Sequence, residues 1–274
     1  MIAEPTSRRS DLALHPLQAP LDNLVGYLAD ARALYEVTMQ KMDALTAART
    51  AGGKSGGGAP PAQHRSLNRA VVVAAVGAWE AFCEDLAISA LDLDPGAKVT
   101  DKWYQIGGTR GMVQTPHPSN VAKMFWGYFR YDPRPDWDVR LMASWHEVNG
   151  TGTLWRGATT SYAGDAAANA LDAMVKVRHG FAHQDKSSIP QSVAGMVNLT
   201  PRGKIALHSH HAFNAMSSVV QVSIQTTHGL SDALGVARNF RWSSKMSASS
   251  WEDLIVDTPV AADVASEWRK SPWP

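Results

Sequence analysis

Cysteine is nearly absent: Cys83 is the only one in 274 residues. No intramolecular disulfide can form. Zinc sites built on two or four thiolates are excluded too, because one thiol is available. A reducing, intracellular setting is the simplest reading. Net charge is equally scarce. Lys and Arg number 26 against 25 Asp and Glu, a balance of +1. That excludes a polybasic nucleic-acid coat and an acidic solvating tail, but not a local basic pocket. Long apolar runs are also missing. The longest, Ala70 to Trp79, ends at Glu80, well short of the ~20 residues a spanning helix needs. Met1 to Leu17 shows no apolar stretch behind a basic start, so no secretory signal is expected. Together these absences predict a soluble, cytoplasmic protein with no membrane partner.

What is present is helical periodicity. Residues 1–20 read as an irregular N-terminal segment. Leu24, Tyr27, Leu28, Leu34, Tyr35, Met39, Met42 and Leu45 then largely recur at three- and four-residue steps, which predicts a long helix from Leu21 to Arg49. Residues 51–61 are rich in Gly and Pro and read as a flexible linker. Arg65 to Leu93 is a second helix, apolar nearly all round and therefore central. His117-Pro118-Ser119 opens a short third helix with Val121, Met124, Phe125 and Tyr128 on its apolar face. Asp138 to Val148 reads as a further helix and Asn149 to Tyr162 as a loop. Ala166 to Arg178 is helical. Met196 to Leu207 reads as a short β-hairpin about Thr200-Pro201-Arg202-Gly203. His210 to Thr227 is the last long helix, and residues 241–274 read as a helical extension. The expected fold is all-α: a helical bundle over residues 21–240 with long loops and one short β-hairpin.

Most candidate motifs have a bland explanation. Ala48 to Ser55 (ARTAGGKS) fits a relaxed phosphate-loop string. It follows a helix instead of a strand, and no helix follows to hold a phosphate at its N-terminus. His208, His210 and His211 cluster without an HExxH string or a nearby carboxylate, and read as a solvated helix start. Ten tryptophans are many for this length. Rings of this kind stack bases in some proteins but more often fill cores and interfaces. No cofactor or metal is expected.

Glu80 and the segment Val177 to Gln184 (VRHGFAHQ) are different. Glu80 interrupts the most apolar helix, with Val76, Gly77, Cys83 and Glu84 as helical neighbours. A carboxylate there needs a partner. Arg178 is one candidate; a water-filled cleft or another basic residue are the alternatives. Arg178 and His183 stand five residues apart, about 140° around a straight helix. They converge only if the chain bends or restarts, and Gly180 lies between them. Arginine offers a fixed fork of donors to a phosphate, and histidine moves protons near neutral pH.

The string Arg178-His179-Gly180-Phe181-Ala182-His183 resembles the signature of the HEPN superfamily: Arg, a polar residue, three more, then His. Two further segments are similar to its RiboL-PSP-HEPN branch. They are Ala78-Trp79-Glu80-Ala81-Phe82 with Leu86, and Pro118-Ser119-Asn120-Val121 leading to Phe125 and Phe129. The likeness spans roughly residues 20 to 230. Asn often follows the arginine in that family, where this chain has His179. The tyrosine that one branch carries two residues after the histidine is Asp185 here.

The resemblance implies a homodimeric, metal-independent endoribonuclease whose Arg/His motifs meet in a composite site across the interface. Arg178 would bind the scissile phosphate. His183 would assist attack by the ribose 2′-hydroxyl, leaving a 2′,3′-cyclic phosphate, and His179 would orient the pair or touch the phosphate. Glu80 would support Arg178. RNA is the implied substrate, the biological role that of a toxin or antiviral effector, and an inhibitory or sensor protein a further partner. Two other readings stand beside it. One is a non-catalytic HEPN-like module that binds RNA, nucleotide or protein. The other is an unrelated helical interaction protein in which Arg178 belongs to a structural ion pair.

Overall fold

The computed structural model describes residues 15–53, 62–94, 116–147, 155–182, 188–238 and 240. The long first helix, α1 (Gln18–Ala51), buries Leu21, Leu24, Leu28, Ala31, Tyr35 and Thr38. Their alternating steps of three and four make one continuous seam. The seam lies on α2 (Ala62–Leu91), which runs antiparallel to it. Asn23 and Tyr27 near the start of α1 both hydrogen-bond the Asp85 carboxylate near the end of α2. Val71, Val72, Ala75, Val76, Trp79, Phe82, Cys83, Leu86 and Ala87 are buried along one broad face of α2, about half its circumference, and Val73, Gly77, Ala81 and Glu84 on the other side are part-exposed. It is the central helix, as its composition predicts, and it touches α1, α4 (Asp165–Ala182) and α5 (Ser209–Ala233).

The short helix α3 (Pro118–Phe129) begins at the expected Pro118 and ends on Arg130 in the left-handed conformation, φ 57°. It buries Val121, Met124, Phe125 and Phe129. After it the chain makes a single 3-10 turn, Arg134–Asp136. Gly229 in α5 is where this turn comes close. A Cβ there would overlap the Tyr131 hydroxyl and the Asp136 carboxylate, so a larger residue would have to push that hydrogen-bonded pair aside.

Residues 138–148 are not the expected helix, and 149–162 are not simply a loop. β1 (Asp138–Glu147) and β2 (Trp155–Ala163) form an antiparallel hairpin, with a register shift between Met142 and Ser144. The decisive contacts are distant in sequence. Three primary amides on α5 pair with alternate backbone positions of β1. Gln225 bonds both the N–H and the carbonyl of Asp138. Gln221 does the same for Arg140, and Asn214 for Met142. Each amide offers one acceptor and two donors, so three side chains do the work of a neighbouring strand. Trp137, fully buried, donates to Thr226 and sets its ring edge against Trp79.

The second hairpin is the expected one, though each strand is only two residues: β3 (Asn198–Leu199) and β4 (Ile205–Ala206). Its turn closes by the Gly203 N–H donating to the Thr200 carbonyl, with Gly203 at φ 70°. The chain is thus mostly helical with two small antiparallel hairpins. Boundaries differ modestly from expectation. α1 begins at Gln18 within the segment expected to be irregular, α2 stops before Pro95, and α5 runs on to Ala233. Most of the expected linker and all of the expected extension at 241–274 lie outside the described residues.

The histidines that open α5 are not a solvated start. His210 and His211 are buried, their ring centroids 4.0 Å apart, and His211 Nδ1 accepts the His208 N–H. Asn68 and Arg69 of α2 bond the carbonyls of Leu207 and Ile205, which docks this end of α5 inward. Burial, followed by the charge of His208, pushes His210 down to about 3. Burial, with His210 and His208, pushes His211 down to about 2.

Two consequences can be measured. Asn214→Ala strands the Met142 N–H and carbonyl and removes a third bond, to the Gly195 carbonyl. Urea denaturation should show a loss of ~3 kcal/mol. The histidines give a pH dependence. Below the ordinary value of 6.5 the unfolded chain takes up protons that the folded chain refuses, so stability falls as pH drops from 6.5 towards 3. Each such histidine adds up to about 1.4 kcal/mol per pH unit. His210→Gln should flatten the fall of the urea midpoint between pH 7 and 5.

Candidate functional site

Helix α4 starts behind Gly164, whose φ of 55° suits glycine and whose carbonyl accepts the Ala168 N–H. Its buried stripe is Ala167, Ala170, Leu171, Met174 and Val175, then Val177. Arg178 follows Leu171 and Met174 at the next helical step, so the core-facing stripe ends in a guanidinium. Arg178 Nη1 lies 2.9 Å from Glu80 Oε2 on α2, with side chains 22% and 18% exposed. Of the partners open to Glu80 from sequence, Arg178 is the one the fold supplies. The charges touch without a well-aimed hydrogen bond, since Nη1 is buried and has no hydrogen-bond partner. Burial raises the Glu80 carboxyl above its ordinary range, and Arg178 pulls it back only in part; Glu84 pushes it further up.

A second group lies on the neighbouring face of α4. Asp172, Lys176 and His179 recur at steps of four and three and so share a stripe. Asp172 Oδ1 is 2.7 Å from His117 Nδ1, at the N-cap of α3. Asp172 Oδ2 is 2.7 Å from the Lys176 ammonium. The His117 and His179 rings meet edge to face, centroids 5.4 Å apart. Burial tends to raise Asp172, but the bonds from His117 and Lys176 outweigh it and hold the carboxyl below its ordinary range.

Arg178 and His179 are adjacent but diverge by ~100° around the helix: Arg178 turns to α2, His179 to α3. α4 continues through Gly180 to Ala182. His183 lies outside the described residues. The motif's first two members are therefore placed, each against a different neighbouring helix. Sequence reasoning missed His117, Asp172 and Lys176. The i, i+4, i+7 stripe of ionisable residues ending in the motif was the signal within α4; His117 gave none beyond its place before Pro118.

No three His, Cys, Asp or Glu side chains are gathered in the way a metal would require, among the described residues. Nor is any described helix long and apolar enough to cross a membrane. In comparisons with known proteins, no family model, no curated protein and no solved structure matches the chain.

The Glu80–Arg178 contact predicts a measurable coupling. Glu80→Ala leaves a largely buried guanidinium without its counter-ion. Breaking a buried pair costs ~3–5 kcal/mol, and discounting for the remaining exposure leaves ~2 kcal/mol. Adding Arg178→Met should return much of that loss, so the double variant will be more stable than the two single losses summed. A double-mutant cycle by urea denaturation measures it.

Proposed function

We propose that this protein is a HEPN-type, metal-independent endoribonuclease that cleaves RNA by 2′-hydroxyl attack and leaves 2′,3′-cyclic phosphate ends. The observation that supports the reading best is the company Arg178 and His179 keep. Arg178 and His179 of the Arg/His string sit in the last turns of α4. One is backed by the Glu80 carboxylate and the other lies against a histidine–aspartate pair. An arginine fixed from behind presents its remaining N–H groups in one orientation, which suits a phosphate whose charge grows in the transition state. In this proposal Arg178 binds the scissile phosphate, His183 takes the 2′-hydroxyl proton and His179 contacts or orients. A homodimer with a composite site, a toxin or antiviral role and an inhibitory or sensor partner follow from the resemblance. Phe181, 47% exposed within the motif itself, is the apolar side chain we assign to the partner-facing surface.

One observation favours a competing reading. A guanidinium that already neutralises a buried carboxylate can be purely structural, as in a non-catalytic HEPN-like module or an interaction protein. Activity separates the readings. Total RNA and a labelled tRNA pool are incubated with chelator and wild type, His183→Ala or Arg178→Ala. The ribonuclease reading expects cleavage by wild type, cyclic-phosphate ends, intact DNA, and a loss of ~100-fold or more in each variant. Equal cleavage by all three, or none by any, overturns it.

A further inference from the structure

Transesterification of RNA moves two protons. The 2′-hydroxyl loses one as its oxygen bonds to phosphorus. The bond from phosphorus to the 5′ oxygen breaks, its electron pair stays on that oxygen, and the oxygen must gain a proton to leave as a hydroxyl. Arg178 offsets the phosphate charge and His183 takes the first proton in the reading above. Within one protomer, no residue named so far supplies the second; in a composite site the competing donor is the second copy of His183.

His117 is built to do so. Its Nδ1 is 2.7 Å from Asp172 Oδ1. Lys176 and His117 together keep Asp172 ionised, and a carboxylate only accepts hydrogen bonds, so Nδ1 carries the hydrogen. Proton transfer then falls to Nε2. Lys176 holds the second carboxylate oxygen, which fixes the group that fixes the ring. The imidazole is a quarter exposed, so it meets solvent and is not sealed in the core. Its edge contact with His179 sets it beside the Arg/His motif, one residue from the arginine. A structural helix cap would account for none of this, since the His117 side chain caps no backbone N–H of α3.

We propose that His117, oriented by Asp172, is the general acid that protonates the leaving 5′ oxygen. This rests on the ribonuclease reading. The proton passes from Nε2 to the 5′ oxygen, the products are a 2′,3′-cyclic phosphate and a 5′-hydroxyl, and His117 regains its proton from water. Asp172 is a positioning residue.

The test compares two mixed-sequence RNA oligonucleotides, one ordinary and one with sulfur replacing the bridging 5′ oxygen. A thiolate leaves without a proton. His117→Gln should lower kcat on ordinary RNA by ~100-fold or more, with KM little changed, and should recover nearly wild-type rates on the sulfur substrate. Asp172→Asn should show a smaller loss in kcat, also relieved by sulfur. If His117→Gln cleaves ordinary RNA as wild type does while Arg178→Ala does not, the ribonuclease reading stands and His117 is not the acid. An equal deficit on both substrates, in both variants, also overturns the proposal. Wild type inactive on both substrates overturns the ribonuclease reading, and this one with it.

Discussion

The ion pair that ties Glu80 of α2 to Arg178 of α4 is the interaction on which the rest of the site depends. Although α1, α4 and α5 pack on it, α2 keeps a part-exposed strip through Val73, Gly77, Ala81 and Glu84, and a charge on the flank that α4 covers is costly unless paired. Glu80 is nevertheless there, and the fold answers it with Arg178 from α4. The pairing sets the rotation of α4 about its own axis, since Leu171 and Met174 must point inward on the same stripe. Once that rotation is set, the adjacent stripe of Asp172, Lys176 and His179 turns to the N-terminus of α3. The two faces of one helix are thereby committed to different neighbours.

That arrangement also explains why the two adjacent motif residues sit in unlike surroundings. Arg178 is pinned by a carboxylate whose own ionisation is strained by burial. His179 joins a group in which the carboxylate is comfortably charged. Two acids, Glu80 and Asp172, are thus pushed in opposite directions by environment. Separation of that kind is common in acid–base sites, and also in purely structural ion-pair networks.

Much of this was legible in the sequence because it is local. The seams of α1 and α2, the Pro118 start of α3, the Thr200–Gly203 turn and the need of Glu80 for a partner are all written in neighbouring residues. What failed to read depends on distance. Val139, Leu141, Met142 and Trp145 fit a helical period as well as a strand. The amides that decide for a strand lie on α5, more than seventy residues away. His210 and His211 read as wet because their own segment is polar, whereas it is α2 that draws that end of α5 inward. His117 looked like a helix opener because its partner is fifty-five residues further along.

The amide ladder on α5 has one more effect. An isolated two-stranded hairpin ordinarily leaves a row of unpaired backbone groups on each outer edge, a template on which a strand from another molecule can add. On the β1 edge the groups of Asp138, Arg140 and Met142 are already taken by side chains of the same chain. Glutamine and asparagine here guard a sheet margin against self-association, the task that other proteins give to charged residues, prolines or bulges.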